Sequence, residues 1–581
     1  MLSKQPRPET ATGAAGPSAA GDPVEFALFR AQWEPILFAE RPSRLELLKL
    51  KAPWALMPLL IRVHRNHSFE HVAAASALGF AWWGCEASFL YSDYDDSLSF
   101  AFADDKRVQL ELLWLDIQRY QGRFGSVELG SWLEGRLTAL RTRVSTPIVL
   151  ATVGEDEELH TRLQQIARSV PGTRVADLRP LMAGLGAKFF DERAAKFSGT
   201  RLSDAASVLV ARELACRWAP AMLRPRLKAV ALDLDHTLYA GVLGEDGDQV
   251  RLTPAHAALQ QFLVGLRDQG VFLALVSRNE EADVRQLFQK RPDFPLRWEH
   301  FSATAVSWAG KAQGIQRVAQ TLRIGLDAIL FVDDNPGELA SVVSELPGIA
   351  TAHAQPDAAA TQRLLEYYPR LWSWERTATD ALRATDLAAE TERSRLAAQT
   401  VDPREYLRCL QVRLLLELNP RQQLTRLHEL SQKTNQFNLN LSRFSEVDIA
   451  QMLDAPDHRM VLIHLSDRLS DSGPIGLLVA RRQGDTLAIL ELAISCRALG
   501  RGLEDLMVAE AVRAIQVELP AARIEFLHRT GPRNGPAREW LVKITGQTLP
   551  SEGRVAAQEA LPRISARDYP VTVNISSHES N

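Results

Sequence analysis

Between residues 226 and 375, short apolar runs and amphipathic stretches alternate without a break, and this alternation restricts the fold more than anything else in the chain. "LKAVALDLD" reads as a strand, and "PAHAALQQFLVGLRDQG" as a helix ending at a C-cap glycine. "VFLALVS" is a strand and "EEADVRQLFQK" a helix, "KAQGIQRVAQTLRIG" is another helix, and "AILFVDDNP" closes with another strand. Strands alternating with helices predict a parallel, doubly wound sheet.

In such a sheet ligands bind outside the carboxyl ends of the strands. Those ends carry Asp233 and Asp235, Ser277, and Asp333 with Asp334, while Lys311 opens a helix between them. Isolated buried carboxylates would take up protons. A hard cation with oxygen ligands keeps them ionised, and Mg²⁺ characteristically uses a few carboxylates together with a substrate phosphate. After Thr237 comes a glycine-rich insert (Gly241, Gly244, Gly247), expected to be a hairpin and too short to be a large cap. A site without its own lid needs a partner surface or a neighbouring domain to close it.

The 581 residues lead to an expectation of three or four domains. Residues 1–24, rich in Ala, Gly, Pro, Ser and Thr, read as a disordered leader. From 25 to 225, "VQLELLWLDIQRY" and "TPIVLATV" look like buried strands, and "SDAASVLVARELACRWA" is helical with Ser203 or Asp204 as N-cap, so an N-terminal α/β domain is expected. Residues 376–402 read as a linker helix. Residues 403–545 form an α+β domain with antiparallel strands at 459–468, 473–483 and 486–496 and a helix at 502–519. Residues 546–581 are expected to be a tail with one strand-like run, 569–575. The formal charge of −4 gives no basic field for nucleic acid. The four scattered cysteines lack metal-finger spacing and suit a reducing cytoplasm. No apolar run of about 18 residues suggests a membrane span, and no signal-peptide core is seen.

A second candidate site lies in "ISCRALGRGLEDLM", where R-x-x-G-x-G (Arg497, Gly500, Gly502) follows a strand and is expected to open a helix whose backbone N–H groups suit an anion. Cys496, next to Arg497 and near Arg501, is a candidate nucleophile; a packed small hydrophobe is the alternative. "HELSQKTNQFNLN" either lines a site or forms a surface loop.

The order DxDxT, S, K, DD, with 44, 34 and 22 residues between Asp233, Ser277, Lys311 and Asp333, resembles the haloacid dehalogenase superfamily. The resemblance implies that Asp233 is a nucleophile taking a phosphoryl group and that Asp235 is its acid and base. It also implies phosphate binding by Thr237, Ser277 and Lys311, and Mg²⁺ at Asp233, Asp235, Asp333 and Asp334. An acid at 235 favours phosphatase over dehalogenase chemistry. R-x-x-G-x-G resembles motif A of the GNAT acetyltransferases, which implies pantetheine binding at Arg497, Gly500 and Gly502; "RNGPAREW" resembles that fold's later asparagine-containing helix.

Together with "SWAGKAQGI", "QKTNQFNLN" and "DRLSDSGPIG", these motifs make residues 226–545 resemble the FkbH-like family of glyceryl transferase/phosphatases. That resemblance implies a 1,3-bisphosphoglycerate-like phosphorylated acyl donor, loading of the acyl group on the phosphopantetheine arm of an acyl carrier protein in a polyketide-type pathway, and an SGNH-like N-terminal domain. The family motif DNTLWGG is altered here at His236, Tyr239 and Ala240. "SDYDDSLSF" offers Ser92 and Ser97 without a clear GDS block, and His64, His67 and His160 without a D-x-x-H, so the N-terminal domain is expected to be degenerate. Cys496 is expected to hold the acyl group between donor and carrier. The rival readings are a phosphatase fused to an acetyl-CoA-dependent N-acetyltransferase, and a non-catalytic carrier-protein scaffold.

Overall fold

The computed structural model describes residues 22–102, 105–375, 378–400, 402–557, 561–564 and 566–577. The expected leader lies outside the described residues up to 21, and its last residues belong instead to a helix, Pro23–Leu37. Proline at the first helical position and the Asp22 carboxylate accepting the Val24 N–H at 2.9 Å start it.

Among the described residues the strands form three sheets. The first contains β1 (Met57–Arg65), β2 (Cys85–Tyr94), β3 (Val108–Asp116), β4 (Ile148–Val153) and β5 (Thr173–Ala176), all parallel, in the order β2-β1-β3-β4-β5. The second contains β6 (Ala229–Leu232), β7 (Phe272–Ser277), β8 (Phe301–Val306), β9 (Ile329–Asp333) and β10 (Ala350–His353), also all parallel, in the order β10-β9-β6-β7-β8. This is the doubly wound sheet read from the sequence. Strand order reverses between β6 and β9, which opens a crevice at their carboxyl ends.

The third sheet is mostly antiparallel. It comprises β11 (Arg413–Leu418), β12 (Phe437–Asn438), β13 (His458–Ser466), β14 (Asp471–Gln483), β15 (Thr486–Ile494), β16 (Arg523–Arg529), β17 (Glu552–Ala556) and β18 (Thr572–Ser577), in the order β17-β16-β15-β14-β13-β11-β18, with β12 on β15. The stretch expected as a tail thus supplies both edge strands, β17 antiparallel to β16 and β18 parallel to β11. The molecule is a multidomain α/β protein, and the expected connecting stretch is a long helix, Ala378–Gln399.

Residues near 225 mark no gap in the packing. One continuous apolar core takes in the first sheet, the helix Pro23–Leu37 and one face of the second sheet. The segment read as one helix from 203 is continuous to Leu223, with Ser203 capping it, but passes through a π turn at Leu214–Trp218. The Trp83 indole donates to the Ala215 carbonyl in that turn at 2.8 Å. Such turns free carbonyls from the helical ladder. Among the described residues no helix is long and apolar enough to cross a membrane.

Candidate active site

The β6/β9 crevice holds the first site. Asp233 follows β6 directly and its N–H donates to the Val332 carbonyl at 2.9 Å, so the strand ladder aims its carboxylate out of the sheet end. Asp333 ends β9, and Lys311 is the first residue of the helix Lys311–Leu322. The Lys311 Nζ lies 3.0 Å from Asp233 Oδ1 and 2.5 Å from Asp333 Oδ2. All three side chains are buried.

One ammonium thus serves two carboxylates. Burial pushes the Asp233 carboxyl above the usual carboxylate range, with Lys311 pulling it partly back. Asp333 is pushed up to about 7, first by burial and then by the charge of Asp233. Burial works against the Lys311 ammonium, but Asp233 and Asp333 outweigh it and hold its pKa above the ordinary lysine value.

Asp233, Asp333 and Asp334 each place one carboxylate oxygen within 4.8 Å of the others'. These oxygen-only donors, short of positive charge, suit a hard divalent cation. Asp235, expected among the metal-binding residues, does not bring its carboxylate into this cluster. Its carboxylate accepts from the Tyr239 hydroxyl at 2.6 Å, the Leu243 N–H at 2.9 Å and Asn279 Nδ2 at 3.0 Å. Those three donors fix Asp235 in place beside the cluster.

Asn279 also donates to Ser277 Oγ at 3.1 Å. The sequence reading missed it, although it lies two residues beyond Ser277 in "SRN". Tyr239, one of the altered motif positions, is a second such residue. The Thr237 hydroxyl is buried without a hydrogen-bond partner. His236 takes a left-handed φ of 55°, turning the chain between Asp235 and Thr237.

The insert after Thr237 is not a hairpin of strands. It is a loop closed by one antiparallel bridge, Ala240 to Arg251, around a helical turn, Leu243–Asp246, and a 3₁₀ turn, Gly247–Gln249. On the far side the N-terminal helix braces the site. Glu34 accepts the His353 N–H at 3.1 Å, and His353 Nε2 donates to the Asp334 carbonyl at 3.0 Å.

The C-terminal R-x-x-G-x-G turn lies between β15 and the helix Glu504–Glu518. The helix begins at Glu504, eight residues beyond Cys496, so Cys496 is not at a helix start. Gly500 and Gly502 have φ of +81° and +68°, as the tight turn requires. The Gly500 N–H, however, donates to the Glu504 carboxylate at 3.1 Å, and Glu504 and Asp505 already fill the first helical turn with negative charge. A pyrophosphate would meet its own sign there. Arg501 is buried and turned inward, 3.2 Å from Asp467 and 3.1 Å from Ser472 Oγ. The same network holds Arg393 of the helix Ala378–Gln399, 2.8 Å from Asp467 and 3.0 Å from Asp386. "DRLSDSGPIG" thereby clamps that helix to the third sheet.

Strands β15 and β16 pair only over Thr486–Ile489 and Arg523–Phe526 and then part. "QKTNQFNLN" fills the gap. β12 pairs with Ile494 and Ala493, the Leu439 N–H donates to Leu492, and the Arg529 N–H donates to Leu439. Asn534 is fully buried and donates to the Asn438 carbonyl at 2.9 Å. The asparagine before this later helix therefore secures the wedge. The residues just before it, Thr434, Asn435 and Gln436, reach a chamber of ≈ 130 Å³ between the second and third sheets, lined also by Cys496 and Arg497.

The two sites are far apart. The chamber is bordered by Lys228 and Phe272, at the amino ends of β6 and β7, and by Leu322 and Arg323. Lys228 is five residues before Asp233, roughly 16 Å along an extended strand. The helix Lys311–Leu322 runs from one site to the other, roughly 18 Å at 1.5 Å per residue.

In the first sheet the candidate serines and histidines have separate partners. His64 pairs with Glu111 at 2.8 Å, His67 with Thr200 at 3.0 Å, and His160 with Gln164 at 3.2 Å. Ser92 donates to the Asp93 carbonyl and Ser97 to the Asp95 carboxylate. Burial lowers His67 to about 4, so it is neutral.

Neither family models nor curated proteins match this chain. Among solved structures it is similar to the N-terminal part of a Bacteroides fragilis protein containing a phosphatase domain complexed with Mg. That likeness has 18% identity over 59% of this chain and 99% of that one, with a TM-score of 0.45. It is also similar to a spermidine/spermine N-acetyltransferase from Vibrio cholerae (13% identity, 26% of this chain, 97% of that one, TM-score 0.19). A GNAT-family acetyltransferase from Streptococcus pneumoniae is a third (16%, 22%, 81%, 0.17). All three are remote likenesses.

Proposed function

We propose that this chain is a Mg²⁺-dependent aspartyl phosphatase joined to an acyl-transfer module. In this reading it acts on a phosphorylated three-carbon acyl donor and delivers the acyl group to the phosphopantetheine thiol of an acyl carrier protein. The observation that carries the reading is the gathering of Asp233, Asp333, Asp334 and Lys311 at one crevice, with Asp235 held beside them.

Asp233 attacks the phosphorus of the bound monoester. Asp235 gives its proton to the departing oxygen, then takes one from the water that hydrolyses the aspartyl phosphate, returning both carboxyls to their starting states. Lys311 and the Thr237 and Ser277 hydroxyls hold phosphoryl oxygens. Asp233, Asp333 and Asp334 would hold Mg²⁺, which when bound offsets charge on the transferring group.

Cys496 is the proposed acyl-bearing thiol. Its thiolate attacks the acyl carbonyl, the acyl–phosphate bond breaks with loss of phosphate, and the carrier thiol then takes the acyl group from the thioester. Two sites at opposite ends of one sheet favour a substrate that travels on a tether, as a carrier arm provides. The self-capped turn at Gly500 and Glu504 disfavours a CoA pyrophosphate and hence the N-acetyltransferase rival.

Incubating the protein with Mg²⁺, a phosphorylated three-carbon acyl phosphate and a phosphopantetheinylated carrier protein tests this by intact mass. Carrier acylation with phosphate release is expected. Acetylation of an amine from acetyl-CoA, with an unloaded carrier, would overturn it in favour of that rival.

A further inference from the structure

The chamber between the second and third sheets has a charge that the phosphatase chemistry does not use. Six cationic side chains line it: Lys228, Arg323, Arg383, Arg426, Arg497 and Arg533. Three carboxylates accompany them, and each is engaged. Glu390 pairs with Arg323 at 2.6 Å, Glu429 with Arg426 at 3.0 Å, and Asp386 with Arg393 at 3.0 Å and Arg501 at 3.5 Å, neither of which lines the chamber. Arg533 in turn pairs with Asp327, which does not line the chamber.

Arg497 takes part in none of these pairs. Its Nη1 is buried and has no hydrogen-bond partner. Burial, and then the neighbouring guanidinium groups of Arg426 and Arg383, push it down to about 10. A buried guanidinium nitrogen without an acceptor is costly, and a bound anion beside it would supply the acceptor.

We infer that this chamber is a binding site for a small anion, a molecule of about three carbons carrying a phosphate or carboxylate, with Arg497 as its anchor. Size agrees. An engineered cavity of about 150 Å³ accepts benzene, so ≈ 130 Å³ suits a compact acid. An open groove of ≈ 470 Å³ adjoins it. The two share Arg323, Ile324, Gln436 and Cys496, and the groove runs on to Leu499 and Gly500. Cys496 thus stands at the throat between the chamber and the open groove. The identity of the anion as the acyl donor rests on the function proposed above; the existence of the site does not.

The test uses the full chain in EDTA, so that the carboxylate site has no metal with which to hold anions. The rate at which iodoacetamide alkylates Cys496 is followed by peptide mass spectrometry, with exposed Cys409 as reference. Inorganic phosphate, D-glycerate and 3-phosphoglycerate are the probes, separating the phosphate end from the carboxylate end. At least one is expected to slow Cys496 about fivefold at four times its Kd while leaving Cys409 unchanged. Arg497→Gln should weaken that protection about tenfold or more, the loss of one charged hydrogen-bond partner, and Arg497→Lys should keep part of it.

Absence of protection in the wild-type protein overturns the inference without any variant, as does equal protection in a folded Arg497→Gln. If protection holds but the carrier is never acylated, the anion site stands and the acyl-transfer reading falls.

Discussion

At the carboxyl ends of β6 and β9 three carboxylates gather, two of them paired with one lysine. At the other end of the same sheet a chamber holds Arg497, one of whose buried nitrogens has no hydrogen-bond partner. The first arrangement lacks positive charge and calls for a cation; the second has a buried guanidinium nitrogen without an acceptor and suits an anion. One helix serves both, with Lys311 at its start and Arg323 just past its end. A cation at a helix C-terminus is favoured by the helix dipole and one at the N-terminus is opposed. Arg323 therefore fits its place electrostatically, whereas Lys311 is held against the dipole by Asp233 and Asp333. A residue kept where the backbone disfavours it marks a working site more clearly than one that fits.

The comparison breaks first at Asp233. Asp233→Asn should lower metal-dependent phosphate release on the order of 10⁴-fold or more, because an amide neither attacks phosphorus nor balances a cation. Anion protection of Cys496 should be unchanged. If both change together, the two sites are not independent.

Glu34 sharpens the comparison through pH, since it braces only the carboxylate site. Burial raises its pKa from 4.5 to about 8, against partial relief from Arg30 and the His353 N–H. The folded state then holds an extra proton between those values. The stability this proton provides is complete below pH 4.5 and is lost as pH rises through 8, by as much as about 5 kcal/mol. Urea titrations of Glu34→Gln should show a flatter dependence across that window; a dependence identical to the wild type would remove Glu34 as its source.

Arg393 tests the other end. Arg393→Ala leaves Asp467 and Asp386 short of a buried partner and should destabilise the chain by about 3–5 kcal/mol in denaturant. The folded variant should keep its phosphatase rate. Lys311→Ala should slow phosphate release by about 10²–10³, or about 2.7–4 kcal/mol. A rate within threefold of wild type would place Lys311 outside the chemistry.

The carboxylate site was legible in the sequence because each of its parts ends a strand or opens a helix, and alternation of elements locates such ends. Asp233, Ser277, Lys311 and Asp333 stand where the pattern put them. The positioning groups were not legible: Asn279 and Tyr239 look like ordinary loop residues until the chain turns back on Asp235. The C-terminal region was harder to read. Arg501 reads in the sequence as a cation near the Cys496 thiol, but its direction is set by Asp467, 34 residues away in sequence. β17 and β18 were read as tail because a short edge strand is specified by its partner strand more than by its own sequence. "QKTNQFNLN" is too polar to resemble a strand, yet Phe437 and Asn438 are buried in the splay between β15 and β16. The chamber itself is a product of domain packing, and no local pattern announces it.

The most direct measurement is to quench the enzyme during turnover of p-nitrophenyl phosphate and map the phosphorylated peptide by mass spectrometry. The account predicts a phosphoryl group on Asp233 that appears with Mg²⁺, disappears with EDTA, and leaves Cys496 unmodified. Steady phosphate release with no adduct on Asp233, or with the adduct on another residue, would contradict it.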